Sequence, residues 1–233
     1  MKGKSLISVS IIAAFVFISC QSNPEEHFNK AMELSKNKEY QLAVEELDKA
    51  ISQKSDYAQA YLERGKLRSN NLDYTEAKGD VAYLNNVYQL SIDDFTKAIK
   101  YDSSLTKEAM ISRGYAFVAL KDYKNAIVDF EQVLKKDELN KKIIGIAVSC
   151  KLFLEDTTGA KILLDNIISK NSNDAENYYA RAYHRLTSFN DKVGGCEDLK
   201  KASELYSPTV DYTYKEINLK EEIEKLIKVN CIK

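Results

Sequence analysis

Apolar residues recur at offsets of three and four along most of this chain, the pattern of helices that bury one face. One block keeps returning. Leu47-Asp48-Lys49-Ala50-Ile51 is followed by Phe95-Thr96-Lys97-Ala98-Ile99, Phe130-Glu131-Gln132-Val133-Leu134, Leu164-Asp165-Asn166-Ile167-Ile168 and Leu199-Lys200-Lys201-Ala202, with leading residues 48, 35, 34 and 35 positions apart. A period near 34 is that of a two-helix unit stacked on copies of itself. Each unit reads as a helix A, a tight turn and a returning helix B. In the first, helix A covers about residues 25–36 and residues 37–40 turn the chain. Ala43, Leu47, Ala50 and Ile51 then mark the buried stripe of helix B. The third is the most regular: Arg113-Gly114-Tyr115, Lys121-Asp122-Tyr123, then Ala126, Phe130 and Leu134.

This arrangement resembles the tetratricopeptide repeat (TPR) over about residues 24–207. That family sets small residues at its eighth and twentieth positions, matched here by Ala31 and Ala43, Gly65, Gly114 and Ala126, Ala160, and Ala182. Tyr61, Phe95, Phe130 and Tyr178 match the large residues that fill the gap between repeats. The fourth repeat departs, with Val148 at the small position, and the fifth has Gly194-Gly195-Cys196 where alanine is usual. The resemblance implies an all-α, TPR-type helix-turn-helix solenoid of about five repeats over 25–207. After Pro208 the repeat stops. Residues 208–233 read as a capping segment whose amphipathic helix runs from about Tyr214 to Val229, with Ile217, Ile223, Leu226 and Ile227 on one face and Lys220, Glu221, Glu224 and Lys225 on the other. A solenoid end needs such a helix to cover its last apolar face.

The 48-residue spacing hides a 14-residue insertion within 74–88. Tyr74, Ala77, Val81, Leu84, Tyr88, Ile92, Phe95 and Ala98 follow helical offsets through it. Fourteen residues make close to four turns, so the sequence predicts helix B lengthened at its start by roughly 21 Å, the alternative being a loop, which Gly79 and Asn85-Asn86 permit. Tyr74, Val81, Leu84 and Tyr88 would then form a contact face, covered by a longer helix A, a second subunit or a partner.

Composition narrows the class further. Only 8 glycines and 2 prolines in 233 residues suit long helices with short turns. A net charge of −1 offers no basic stripe for nucleic acid. Lys2 and Lys4 precede an apolar run from Leu6 to Ile18. That run is shorter than the roughly 20 residues that span a bilayer, so residues 1–19 read as a signal peptide. Phe17-Ile18-Ser19-Cys20 resembles a bacterial lipobox, with Phe at the place of the usual Leu. The resemblance implies that Cys20 is acylated and becomes the N-terminus, with residues 20–24 as tether. By the Gram-negative sorting rule, no Asp after the cysteine implies an outer-membrane lipoprotein on the periplasmic side. Cleavage removes Lys2 and Lys4, leaving 32 of the 34 basic residues against 35 acidic ones. A tether of four residues reaches roughly 13 Å, so the first repeat is expected almost on the lipid surface.

No catalytic constellation is legible. His27 and His184 lack metal-ligand spacing, and Gly194-Gly195 is too short for a phosphate loop. Glu45-Glu46 and Asp93-Asp94 read as solvated charge. The sequence therefore predicts neither enzyme activity, metal, cofactor nor small-molecule substrate. Cys196 opens the last helix B and Cys231 closes the cap; those ends meet in an antiparallel hairpin, and an exported chain could bridge them. Cys150 reads as a small buried hydrophobe.

By the TPR resemblance, helix A residues line a concave groove: Phe28, Asn29, Met32, Leu62, Glu63, Lys66, Ile111, Ser112, Tyr115, Tyr179 and Tyr183. This aromatic and apolar mix suits an amphipathic helix or an extended peptide. The clamp with which some family members hold a terminal carboxylate is missing, since Phe28, Met32, Glu63, Glu108 and Ser112 stand at its positions. The expected function is a membrane-anchored scaffold or adaptor binding a protein or peptide partner in the cell envelope. The alternative is a structural subunit of an outer-membrane assembly machine.

Overall fold

The computed structural model describes residues 23–70, 80–208 and 218–231, and these form eleven α-helices and one short 3₁₀ turn. Ten helices make five antiparallel pairs: α1 (Pro24–Lys36) with α2 (Tyr40–Gln53), α3 (Ala58–Asn70) with α4 (Val81–Tyr101), α5 (Thr106–Ala119) with α6 (Tyr123–Leu134), α7 (Lys141–Phe153) with α8 (Thr157–Lys170), and α9 (Ala175–Thr187) with α10 (Lys192–Leu205). Helix α11 (Leu219–Asn230) packs on α10 and α9 at the end of the stack.

The turns follow from local chemistry. Lys38, Lys121, Glu155 and Asn190 take positive φ between the helices of repeats one, three, four and five. The next residue starts helix B. Asp122, Asp156 and Asp191 each accept a backbone N–H of the first turn, from Asn125, Gly159 and Gly194, whereas Glu39 makes no side-chain cap. Capping satisfies donors that the helix leaves unpaired.

Core packing pairs a small residue on helix A with a large one on helix B. A Cβ on Gly65 would lie 2.7 Å from the Phe95 ring, and one on Gly114 would lie 2.5 Å from Phe130. Where helix A carries Ala31 or Ala182, helix B carries the smaller Leu47 or Leu199, all fully buried. Five apolar clusters run along the stack in series, linked by residues such as Ile51, Leu134 and Tyr178 that touch two of them.

Charges join the repeats. Asp94, Asp129 and Asp198 are buried, and each takes two hydrogen bonds from an arginine of its own helix A: Arg64, Arg113 and Arg181. The third guanidinium nitrogen reaches the preceding helix B, at Asp48, Thr96 and Asp165. In the first repeat Glu46 plays the acid, bonded to His27, Lys30 and Lys49. Glu46 and Asp94 are therefore interior ion pairs, not the solvated charge expected; Glu45 and Asp93 alone are exposed. The fourth repeat has Ala147 and buried Leu164 beside the half-buried Leu163 in this register, and Lys151 pairs with Glu131 instead.

Two expected elements differ. Helix α4 begins at Val81, because Asp80 is extended and caps it through Ala82 and Tyr83 N–H. It therefore gains seven residues over an ordinary helix B, roughly 10 Å, half the predicted length. The cap helix begins at Leu219, where Asn218 caps it, instead of about Tyr214. The signal segment, Cys20, Tyr74 and Ile217 lie outside the described residues.

Candidate functional site

Helices α5, α7 and α9 are the A helices of the last three repeats, and their inner faces enclose a groove of about 580 Å³. Tyr115 stands on α5. Lys142, Gly145, Ile146 and Ser149 project from α7, one turn apart or nearly so. Tyr179, Ala180, Tyr183 and His184 come from α9, and Leu164 and Ile167 of α8 close the floor. The lining is mostly apolar, with small residues at Gly145 and Ala180 that keep the channel open.

Its electrostatics are simple. Lys141 Nζ lies 2.6 Å from both Asp174 and the buried Glu176. Burial pulls the Lys141 ammonium down, but hydrogen bonds from it to Asp174 and Glu176 outweigh this and leave its pKa raised. Burial lowers the His184 imidazole below its ordinary value. Burial, then the nearby Glu222 carboxylate, raises the Tyr179 phenol. Lys142 is exposed, leans over the Tyr115 ring at 5.9 Å, and has no carboxylate within ion-pair distance among the described residues. Asn177 is 2% exposed and donates to Asn171 O, while its Oδ1 accepts no hydrogen bond.

Solved structures with the same architecture share little sequence. MamA (residues 41–end) from Desulfovibrio magneticus RS-1 matches with a TM-score of 0.59 and 14% identity, over 78% of this chain and 94% of that one. YrrB, described as a TPR protein with an unusual peptide-binding site, gives 0.57 and 18%, over 86% and 91%. Pseudomonas aeruginosa PilF gives 0.54 and 16%, over 88% and 82%. The chain has the tetratricopeptide-repeat fold. No protein-family model and no curated protein matches its sequence.

The TPR groove gathers three of the expected residues, Tyr115, Tyr179 and Tyr183. The other eight lie elsewhere. Leu62 is fully buried in the core between repeats two and three, because its position on α3 faces Phe95 and Ala109, so it is a packing residue and not a groove contact. Phe28 packs on Tyr57 with centroids 5.3 Å apart, and Met32 joins the same cluster. Glu63 and Lys66 form an ion pair at 3.0 Å, and Lys66 also binds Glu108. Ile111 packs against the third cluster; Ser112 is half-buried and Asn29 exposed. Tyr115 and Tyr179 serve two roles, since Tyr115 meets Phe130 edge-on and Tyr179 packs with α11.

Sequence reasoning missed Lys142, Ile146, Ser149 and His184. The signal was present: Lys141 to Ser149 is an A helix whose glycine sits outside the usual small position. In the insertion, Val81 is 66% exposed, Leu84 is half-buried, and Tyr88 packs against the second-repeat core. Cys196 and Cys231 are disulfide-bonded, tying α11 to the start of α10. Cys150 is buried and free, its thiol pushed up by burial. Among the described residues no group of three or more His, Cys, Asp or Glu side chains is placed to hold a metal.

Proposed function

We propose that this chain is a lipid-anchored scaffold that holds a protein or peptide partner in the groove of repeats three to five. The observation that carries the reading is that groove: apolar, walled by tyrosines from two A helices, and open along the concave side. Clefts of this size with few placed polar groups are the usual form of a recognition site. YrrB, of the same fold, is described as having a peptide-binding site, which supports the same use here. Anchoring rests on Phe17-Ile18-Ser19-Cys20 and on helix α1 starting at Pro24, only four residues after the cysteine. No described helix is long and apolar enough to cross a membrane, so a lipid on Cys20 would do the holding. The scaffold would then work close to the periplasmic face of the outer membrane.

One observation favours a second reading, a fixed subunit of an outer-membrane assembly machine. The lengthened α4 presents Val81, Tyr83 and Leu90, 66%, 44% and 40% exposed, which a permanent neighbour would cover. Fractionation of Cys20→Ala tests the anchor: the variant should be soluble, and continued membrane association without acylation refutes it. Pull-down with Tyr183→Ala tests the groove, since that ring is 46% exposed and carries little packing. Partner recovery should fall severalfold with thermal stability unchanged. Undiminished recovery, with loss instead on Val81→Asp, would select the second reading.

A further inference from the structure

Resting on the anchor reading, we propose that the edge formed by the first three inter-repeat turns lies on the membrane and binds the headgroups of anionic lipids. Helices A and B run antiparallel, so the start of each A helix and the end of each B helix share that edge. Helix α1 starts there at Pro24. Phe28 in its second turn packs on Tyr57 of the first inter-repeat turn, with ring centroids 5.3 Å apart. A lipid on Cys20 therefore keeps this edge within roughly 13 Å of the bilayer. The opposite edge, where exposed Leu42 and Phe153 stand, is roughly 20 Å further along the 13-residue α1. The short tether selects the first edge.

Its side chains repeat with the turns. Exposed lysines end each B helix: Lys54 just past α2, Lys97 and Lys100 on α4, Lys135 and Lys136 just past α6. A large residue stands beside them each time, half-buried Tyr57, then exposed Tyr101 and Leu139. Lys54 lies 4.6 Å over the Tyr57 ring, Lys97 5.1 Å over Tyr61 and Lys100 5.4 Å over Tyr101. Tyrosine seats its ring at headgroup depth, and lysine reaches along its stem to the phosphates. Among the described residues, none of these five lysines has a carboxylate within ion-pair distance. Several acids of the edge are already engaged: Asp137 by Lys107, Glu138 by Lys170, and Asp102 by the Ser104 N–H. Glu25, Glu26 and Asp56 are left to oppose the lysines. The fourth turn breaks the pattern, since Lys170 is paired and Asn171, Ser172 and Asn173 follow it. The attraction need not be strong. Each lysine near an anionic surface adds on the order of fivefold, and a short tether holds the edge at a roughly millimolar effective concentration. Such contacts do not retain the chain once its lipid is removed. The groove opens on the inner face and not on this edge, so docking leaves it accessible.

The test reconstitutes the acylated full chain on vesicles of phosphatidylethanolamine with phosphatidylglycerol. An environment-sensitive dye is attached at Tyr101→Cys or Leu139→Cys, and at Leu42→Cys or Phe153→Cys on the opposite edge. Cys150 is buried and Cys196 is bonded to Cys231, so the added thiol alone reacts. Dye on the first edge should brighten severalfold and be quenched by lipids spin-labelled at the headgroup; dye on the opposite edge should do neither. Adding Lys97→Glu with Lys100→Glu should cut that quenching severalfold at unchanged melting temperature, as should high salt or replacing phosphatidylglycerol by phosphatidylcholine. Lys97→Arg with Lys100→Arg should preserve it. Pelleting with the vesicles reports the anchor separately. A chain that pellets while positions 101 and 139 stay in water overturns this inference and leaves the anchor standing. Quenching that ignores lipid charge and both lysines overturns it equally. Protection of the edge in cells but not on protein-free vesicles would assign it to a protein partner instead. If the chain carries no lipid and does not pellet, both readings fail.

Discussion

At the residue scale, the fold rests on matched volumes and buried ion pairs. Gly114 leaves no room for a methyl group beside Phe130, so Gly114→Ala should destabilise the protein by about 1–3 kcal/mol through overpacking. Adding Phe130→Leu should recover part of that loss, because the pair then resembles Ala182 with Leu199; chemical denaturation of the single and double variants checks this. Glu46 gives a pH signature. Hydrogen bonding from Lys30, then from His27 and Lys49, outweighs burial and holds its pKa at about 2, below the ordinary 4.5. A depressed carboxylate stabilises the fold above its unfolded pKa, and that contribution drains away as pH falls from about 4.5 toward 2. Melting temperature should therefore drop across that window, and less steeply in Glu46→Gln. The small-to-large pairing was legible in sequence because glycine and phenylalanine are distinctive. The ion pairs were not. An acid beside an apolar anchor looks the same whether its partner is water or an arginine 16 or 30 residues away, as Asp129 and Asp94 show.

At the element scale, helix starts are set by capping. Glu39 begins α2 without a side-chain cap, whereas the equivalent Asp122, Asp156 and Asp191 all cap. Glu39→Asp should then raise stability by about 0.5–1 kcal/mol, read as a shift in the denaturation midpoint. Helix existence and phase were readable from periodicity alone. The length of α4 was not, because a cap overrides phase: Asp80 stops the helix even though Tyr74 and Ala77 keep the spacing. Removing residues 74–87 would join Asp73 to Tyr88 and recreate the Asp122-Tyr123 junction of the third repeat. The shortened protein should stay folded, with circular dichroism and melting behaviour close to the parent. Unfolding would place the insertion in the core.

At the scale of the whole molecule, the stack presents a long inner surface, and among the described residues the last three repeats line a groove of about 580 Å³. Sequence reading found the tyrosines there but spread the site over all the A helices. Nearer the N-terminus, Leu62 is packed in the core and Lys66 is paired with Glu63 and Glu108. The fourth repeat departs from the family pattern, with Val148 at the small position. Its substitutions carry the site, since Gly145 and Ile146 shape the channel. The far end of the groove leans on α11 through Tyr179, and the Cys196–Cys231 bond spans 35 residues to hold that helix. Reduction should lower stability by roughly 3–4 kcal/mol and speed amide exchange in 219–230 more than in the first two repeats. The central claim is that the partner sits in this groove. Its most direct measurement places a photo-cross-linking phenylalanine analogue at Tyr183 or Ile146 on the inner face, and at Val128 of α6 or Ile162 of α8, both 53% exposed on B helices, on the outer one, in living cells. The account predicts a discrete adduct from the inner positions and none from the outer pair. Adducts from Val128 or Ile162, with none from Tyr183 and Ile146, would contradict it.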